Sequence, residues 1–200
     1  MPGKPLPDVE ALLSAPTDKM RPSVGPESGL IGIHTGGVWI AERVHGALGL
    51  KIPCGTLDIS FYRDDYEKIG LHRNVRASAI PFEVEGRHLI LVDDVLYTGR
   101  TIRAAMNELF DYGGPASIRL ATLLERGGRE LPIAAQFVGA AVELAPGESI
   151  ELKRTAQGRL PLGLHPDRHR VGDHAAEGPA EQVVGAGRLD RADLPQVVGG

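Results

Sequence analysis

Several things are scarce in this 200-residue chain, and each scarcity excludes something. There is one cysteine, Cys54, so no internal disulfide can form, which suits a reducing cytoplasm. Cys54 itself reads as a small buried or half-buried hydrophobe rather than a reactive thiol. No apolar run approaches the roughly eighteen residues needed to span a membrane. The N-terminus, MPGKPLPDVE, lacks the basic-then-apolar layout of a secretory leader. The expectation is a soluble, cytoplasmic protein. Excess positive charge is also missing: the formal net charge is −4, so a uniformly basic nucleic-acid face is not indicated, although a local patch stays open. Aromatic residues amount to 4%, while Gly (26) and Pro (15) are plentiful, so part of the chain is expected to lie outside a packed core.

Composition divides what is present into three. Residues 1–29 are rich in Pro, Ser and charge. Asp8 to Leu13 (DVEALL) reads as the start of a short helix capped by Asp8, which Pro16, Pro22 and Pro26 should stop early. Residues 30–155 carry the fold. Leu30–Ile33, Thr56–Tyr62, His88–Val92, Ser117–Leu124 and Phe137–Leu144 read as strands. Val38–Leu48 and Thr101–Tyr112 have helical spacing, the latter with Ile102, Ala105, Met106 and Leu109 on one face. Apolar strands alternating with helices predict an α/β fold, a doubly wound, mostly parallel sheet with helices on both faces. Ligands of such sheets sit at the carboxyl ends of the strands, and two glycine-bearing loops, 34–37 and 95–101, leave such ends. Residues 156–200 lack sustained periodicity and are expected to be a disordered or atypical tail. His165, His169 and His174 in it read as a surface run, and no metal ligand is assigned to the protein.

The segment Leu89–Thr101 (LILVDDVLYTGRT) carries the most chemistry. A buried strand ends in two carboxylates, Asp93 and Asp94. A loop with Thr98, Gly99, Arg100 and Thr101 follows, and then a helix begins. Gly99 permits close backbone approach, and free amides at a helix N-terminus suit a phosphate. The Thr98 and Thr101 hydroxyls add neutral donors. Arg100 adds charge or faces solvent. Two carboxylates would repel a phosphate but accept hydrogen bonds from sugar hydroxyls. The combination reads as a grip on a ribose 5-phosphate. The plain alternative, a strand end with Thr101 as helix N-cap, stays open at this point. The P-loop pattern GxxxxGK[ST] and the GxGxxG fingerprint are both absent.

VDDVLYTGRT resembles the phosphoribosyl pyrophosphate (PRPP) motif of type I phosphoribosyltransferases. With LDISFYRDD (Leu57–Asp65) upstream and ERGGRELPI (Glu125–Ile133) downstream, the chain resembles the PyrR family, pyrimidine-operon regulators with uracil phosphoribosyltransferase activity. The likeness runs from about Leu30 to Ile150. It implies the type I phosphoribosyltransferase fold with a small hood. It implies that Asp93 and Asp94 hold the ribose hydroxyls of PRPP and that Val95, Leu96, Tyr97, Thr98, Gly99, Arg100 and Thr101 hold the 5-phosphate. Ile33–Val38, with Thr35, Gly36 and Gly37, matches the pyrophosphate loop, which in relatives often carries a cis peptide. Tyr62–Tyr66 matches the start of a mobile loop that closes over the site, with Arg63 counted among the catalytic candidates beside Asp93 and Asp94. Arg126 matches an arginine beside the nucleotide. Mg²⁺ would accompany PRPP, held largely by the ligand's own oxygens. Uracil, UMP or UTP, pyrimidine-operon leader RNA and a second copy of the chain are the implied partners.

The chain also departs from the family pattern. His34 stands where a permanent cation is common, and its ordinary pKa is about 6.5. Gly128 stands where relatives carry histidine. The N-terminal helix is poor in Lys and Arg, which bears on RNA binding. Three functions stay open: an active uracil phosphoribosyltransferase, a nucleotide-sensing RNA-binding regulator with little catalysis, and a type I phosphoribosyltransferase for another base.

Overall fold

The structure, a computed structural model, describes residues 6–59 and 77–166. Five parallel strands form the main sheet: β1 (Gly29–Ile33), β2 (Gly55–Leu57), β3 (His88–Leu96), β4 (Ser117–Arg126) and β5 (Phe137–Val142), in the order β2-β1-β3-β4-β5. Every residue of β1 is buried, as a strand covered on both faces requires. In β3 the side chains alternate between two cores. Ile90 and Val92 join one face, and Leu89 and Leu91 the other. Each such aliphatic side chain contributes about 1.5–3 kcal/mol by leaving water.

The helices divide between the faces. Helix α1 (Val9–Met20) and helix α2 (Gly36–Leu48) cover the side holding Leu30, Ile90, Val92 and Leu123. Helix α3 (Arg100–Asp111) puts Ile102, Ala105 and Leu109 on the opposite side, against Ile31, Leu89 and Leu91. This is the doubly wound arrangement predicted from the alternating pattern.

Three expectations need correction. Asp8 does cap α1, its Oδ1 accepting the Ala11 N–H at 2.9 Å, but Pro16 does not stop the helix. The Thr17 hydroxyl donates to the Leu13 carbonyl at 2.6 Å, and burial of Leu13, Pro16, Thr17 and Met20 outweighs the lost backbone bond. So α1 is a full part of the core rather than a short, loosely held piece. Strand β3 runs past the expected Val92, because its ladder with β4 continues through Asp93↔Thr122 to Leu96↔Glu125. Both carboxylates therefore belong to the strand. Finally, the expected tail is ordered as far as it is described. β6 (Glu148–Leu152) pairs antiparallel with β7 (Leu162–Pro166), and Ile150, Leu152 and Leu160 enter the core beside α1 and α2. No helix among the described residues is long and apolar enough to cross a membrane.

Candidate functional site

The connection after β1 leads to α2 on one face of the sheet, and the connection after β3 leads to α3 on the other. These strands are neighbours, so their carboxyl ends open a crevice where the winding reverses, the usual ligand position in such sheets. Both glycine-bearing loops border it.

The first loop holds His34 and Thr35, joined by a cis peptide, and runs directly into α2. The His34 N–H donates to the Leu57 carbonyl at 2.8 Å, tying the loop to β2. Thr35 is exposed at the N-cap position, while Gly36 and Gly37 are buried. Neither glycine has room for a side chain. A β-carbon on Gly36 would strike the Asp94 carboxylate, and one on Gly37 would strike the Val92 carbonyl oxygen. The two loops are thus in van der Waals contact.

The second loop begins within β3. Asp93 is 4% exposed, and its Oδ1 accepts the Asp94 N–H at 3.0 Å. Asp94 is half-buried, and its Oδ1 accepts the Val95 N–H at 3.0 Å. Gly99 takes φ 93°, a left-handed conformation that glycine adopts without strain, and occupies the N-cap of α3. Thr101 therefore lies inside the first turn and is not the cap. The Arg100 N–H donates to Thr98 Oγ1 at 3.3 Å. The Arg100 side chain pairs with Glu130 at 2.7 Å on the surface, so its charge is shared with a carboxylate there. Val95, Tyr97, Thr98 and Thr101 are half-buried, and Leu96 is buried in the α3-side core.

At the far end of β4, the Arg126 guanidinium lies 3.8 Å over the Tyr97 ring, which brings these two expected site residues together. Arg129 escaped the sequence reading. It donates to the Tyr97 carbonyl and pairs with Glu125 at 2.5 Å. Its acceptor is a backbone group 32 positions away, which no local pattern reveals. Arg63, and with it Tyr62–Tyr66, lies outside the described residues. A groove of about 380 Å³ between α1 and α2, bordered by Leu13, Thr17 and Arg43, is remote from both loops.

Among the described residues no group of three or more His, Cys, Asp or Glu side chains is placed to hold a metal ion. The two carboxylates are hard oxygen donors of the kind Mg²⁺ prefers, and they suit an ion that brings most of its ligands with it.

A crevice between a glycine loop and a paired-carboxylate loop, at the switch point of a doubly wound parallel sheet, is the architecture of a phosphoribosyltransferase domain. Residues 27–144 match the family described as Phosphoribosyl transferase domain. Solved structures agree on the fold. A hypoxanthine-guanine phosphoribosyltransferase from Bacillus anthracis superposes with TM-score 0.57 at 18% identity, covering 73% of this chain and 86% of that one. A hypoxanthine phosphoribosyltransferase from Staphylococcus aureus gives 0.56 at 19%, covering 70% and 77%.

Sequence relatives narrow the class. The "Bifunctional protein PyrR" of Nitrosococcus oceani is 59% identical over 125 residues, covering 62% of this chain and 71% of that protein. That of Pseudomonas paraeruginosa is 57% identical over 134 residues, covering 67% and 76%. The chain belongs to the PyrR family.

Proposed function

We propose that this protein binds PRPP and transfers its ribose 5-phosphate to uracil, giving UMP and diphosphate, and that the same nucleotide pocket serves in control of pyrimidine biosynthesis genes. The observation that carries the reading is the contact of Gly36 with the Asp94 carboxylate, which sets the pyrophosphate loop beside the ribose acceptors.

In this reading Asp93 and Asp94 accept hydrogen bonds from the ribose 2- and 3-hydroxyls. The amides of the Tyr97–Thr101 turn and the Thr98 and Thr101 hydroxyls take the 5-phosphate. Held at both ends, the sugar presents its anomeric carbon between the leaving diphosphate and uracil N1. The C–O bond to diphosphate breaks as the bond to N1 forms, through an oxocarbenium-like transition state. Amides at Thr35–Gly37 face the charge that grows on the leaving group. Mg²⁺ bound with PRPP would neutralise part of that charge. Arg126, stacked on Tyr97, borders the nucleotide. The N1 proton is released in the transfer and passes to solvent or to the departing diphosphate.

The test is steady-state UMP formation by the wild type, Asp93→Asn and Asp94→Asn. Each lost hydrogen bond to a charged group is worth about 1.5–3 kcal/mol, so kcat/KM for PRPP should fall about ten- to a hundredfold. Equal activity in all three would sink the assignment. The name of the relatives, which calls them bifunctional, favours the regulatory half. A gel shift with the pyrimidine-operon leader RNA, with and without UMP, checks it. A UMP-independent absence of any shift would restrict the protein to catalysis. A homodimer or larger assembly belongs to the same reading, and light scattering in solution tests it.

A further inference from the structure

A turn that binds phosphate must point its N–H groups inward. In a trans peptide the C=O points opposite to the N–H. The carbonyls of the same turn are therefore driven outward, and each needs a donor on that side. Here the segment 125–131 supplies three. The Arg129 guanidinium donates to the Tyr97 carbonyl. The Glu130 and Leu131 N–H groups donate to the Thr98 carbonyl at 3.0 and 3.1 Å. The peptides following Tyr97 and Thr98 are trans, the His34–Thr35 bond being the one cis peptide among the described residues.

Of these donors Arg129 alone acts through a side chain. Its other terminal nitrogen lies 2.5 Å from Glu125 Oε1, and the side chain is 22% exposed. A planar guanidinium held by two acceptors has a fixed orientation, which a flexible ammonium would lack. The neighbouring Arg100–Glu130 pair is 63% and 49% exposed and is screened by solvent, so it fixes the turn far less. The two segments also pass in contact: Gly128 has φ 92°, and a β-carbon there would lie 2.6 Å from Tyr97 Cε2.

We propose that Arg129 is a positioning residue for the 5-phosphate. By drawing the Tyr97 carbonyl outward it aims the Thr98 N–H into the crevice, and the Gly99 N–H follows as Glu130 and Leu131 hold the next carbonyl. Both terminal nitrogens of Arg129 are engaged by protein acceptors, the Tyr97 carbonyl and Glu125, so it acts through the turn. The inference rests on the proposed function, since it specifies how the 5-phosphate turn of that site is held.

The pair UMP and uridine isolates the effect, because the two differ only in the phosphate. Titration calorimetry of the full chain with UMP, uridine and Mg²⁺–PRPP is run for the wild type, Arg129→Ala and Arg129→Lys. Arg129→Ala should weaken UMP and PRPP about tenfold and leave uridine within twofold, as expected for one misdirected charge-assisted contact. Arg129→Lys keeps the charge but loses the planar fork, and should restore only part of the loss. In turnover, KM for PRPP should rise while KM for uracil holds. Equal weakening of UMP and uridine would mark a merely structural role and overturn the proposal, as would UMP affinity within twofold of wild type. If Arg129→Ala does not fold, Arg129→Lys and Glu125→Gln are read by the same criteria. A wild type that binds uridine as tightly as UMP would overturn the phosphate assignment itself, whatever the variants do.

Discussion

Gly36 and Gly37 sit side by side at the start of α2, yet alanine at each should do different damage. Both are helical positions without positive φ, at the first turn of α2, so alanine brings at most the mid-helix backbone benefit of about 0.5–1 kcal/mol in either place. What its β-carbon meets then decides the outcome. At Gly36 it meets the Asp94 carboxylate, including Asp94 Cβ at 2.9 Å, which belongs to a side chain that can swing aside. At Gly37 it meets the Val92 carbonyl and the Asp93 Cα at 3.0 Å, which are backbone in the central strand and cannot. Overpacking of that kind costs about 1–3 kcal/mol. Gly36→Ala should therefore unfold in urea within about 1 kcal/mol of the wild type while binding Mg²⁺–PRPP at least tenfold more weakly, because Asp94 has left its place. Gly37→Ala should lose about 1–2 kcal/mol net of stability. Urea melts followed by circular dichroism, paired with PRPP titrations, make the comparison. Wild-type PRPP affinity in Gly36→Ala, or wild-type stability in Gly37→Ala, would refute the reasoning.

Burial pushes the Cys54 thiol from 9.0 up to about 11, with Glu42 adding to the rise and a backbone hydrogen bond involving Gly32 opposing it. The folded state thus holds its proton more tightly than the unfolded chain. The resulting stability is complete below about pH 9 and is lost as pH climbs toward 11, so Cys54→Ser should flatten stability across that window. Iodoacetamide at pH 8 should label native Cys54 far more slowly than the urea-unfolded protein. Asp8→Ala should cost about 1 kcal/mol in urea unfolding, since it removes the side-chain acceptor that takes the Ala11 N–H at the start of α1. A change below about 0.3 kcal/mol would mean that the cap is idle.

Most core strands and helices were legible because each is a buried run whose period or length matches one element only; Thr56–Tyr62 is the exception, since strand β2 ends at Leu57, Asp58 and Ile59 leave it, and residues 60–62 lie outside the described residues. Val38–Leu48 and Thr101–Tyr112 appear within two residues of their observed bounds. Composition misled where pairing decides. Leu162–Pro166 (LGLHP) has no strand character of its own, and it is a strand because Glu148–Leu152 lies opposite. The same limit applied to α1, where burial of Met20 and Thr17 carries the helix past a proline. Around the candidate site, the strand carrying Asp93 and Asp94 and the 95–101 turn leading into a helix were readable from residue type and order. The brace from Arg129 was not, because a long-range bond to a main-chain carbonyl leaves no mark on the residue that accepts it.

Asp93 lies in a rung of the β3–β4 ladder, and the residue before it, Val92, is paired with both β1 and β4. An acceptor on such a strand is in place before any ligand arrives, so little conformational entropy is lost there on binding. The cost of ordering then falls on the incoming ligand and on the surrounding loops. Shifting the main chain that carries that acceptor by even an ångström would disturb the centre of the sheet. Adaptation of the protein to a new ligand thus has the loops as its material, with the strand-borne carboxylate as the fixed datum from which they are measured.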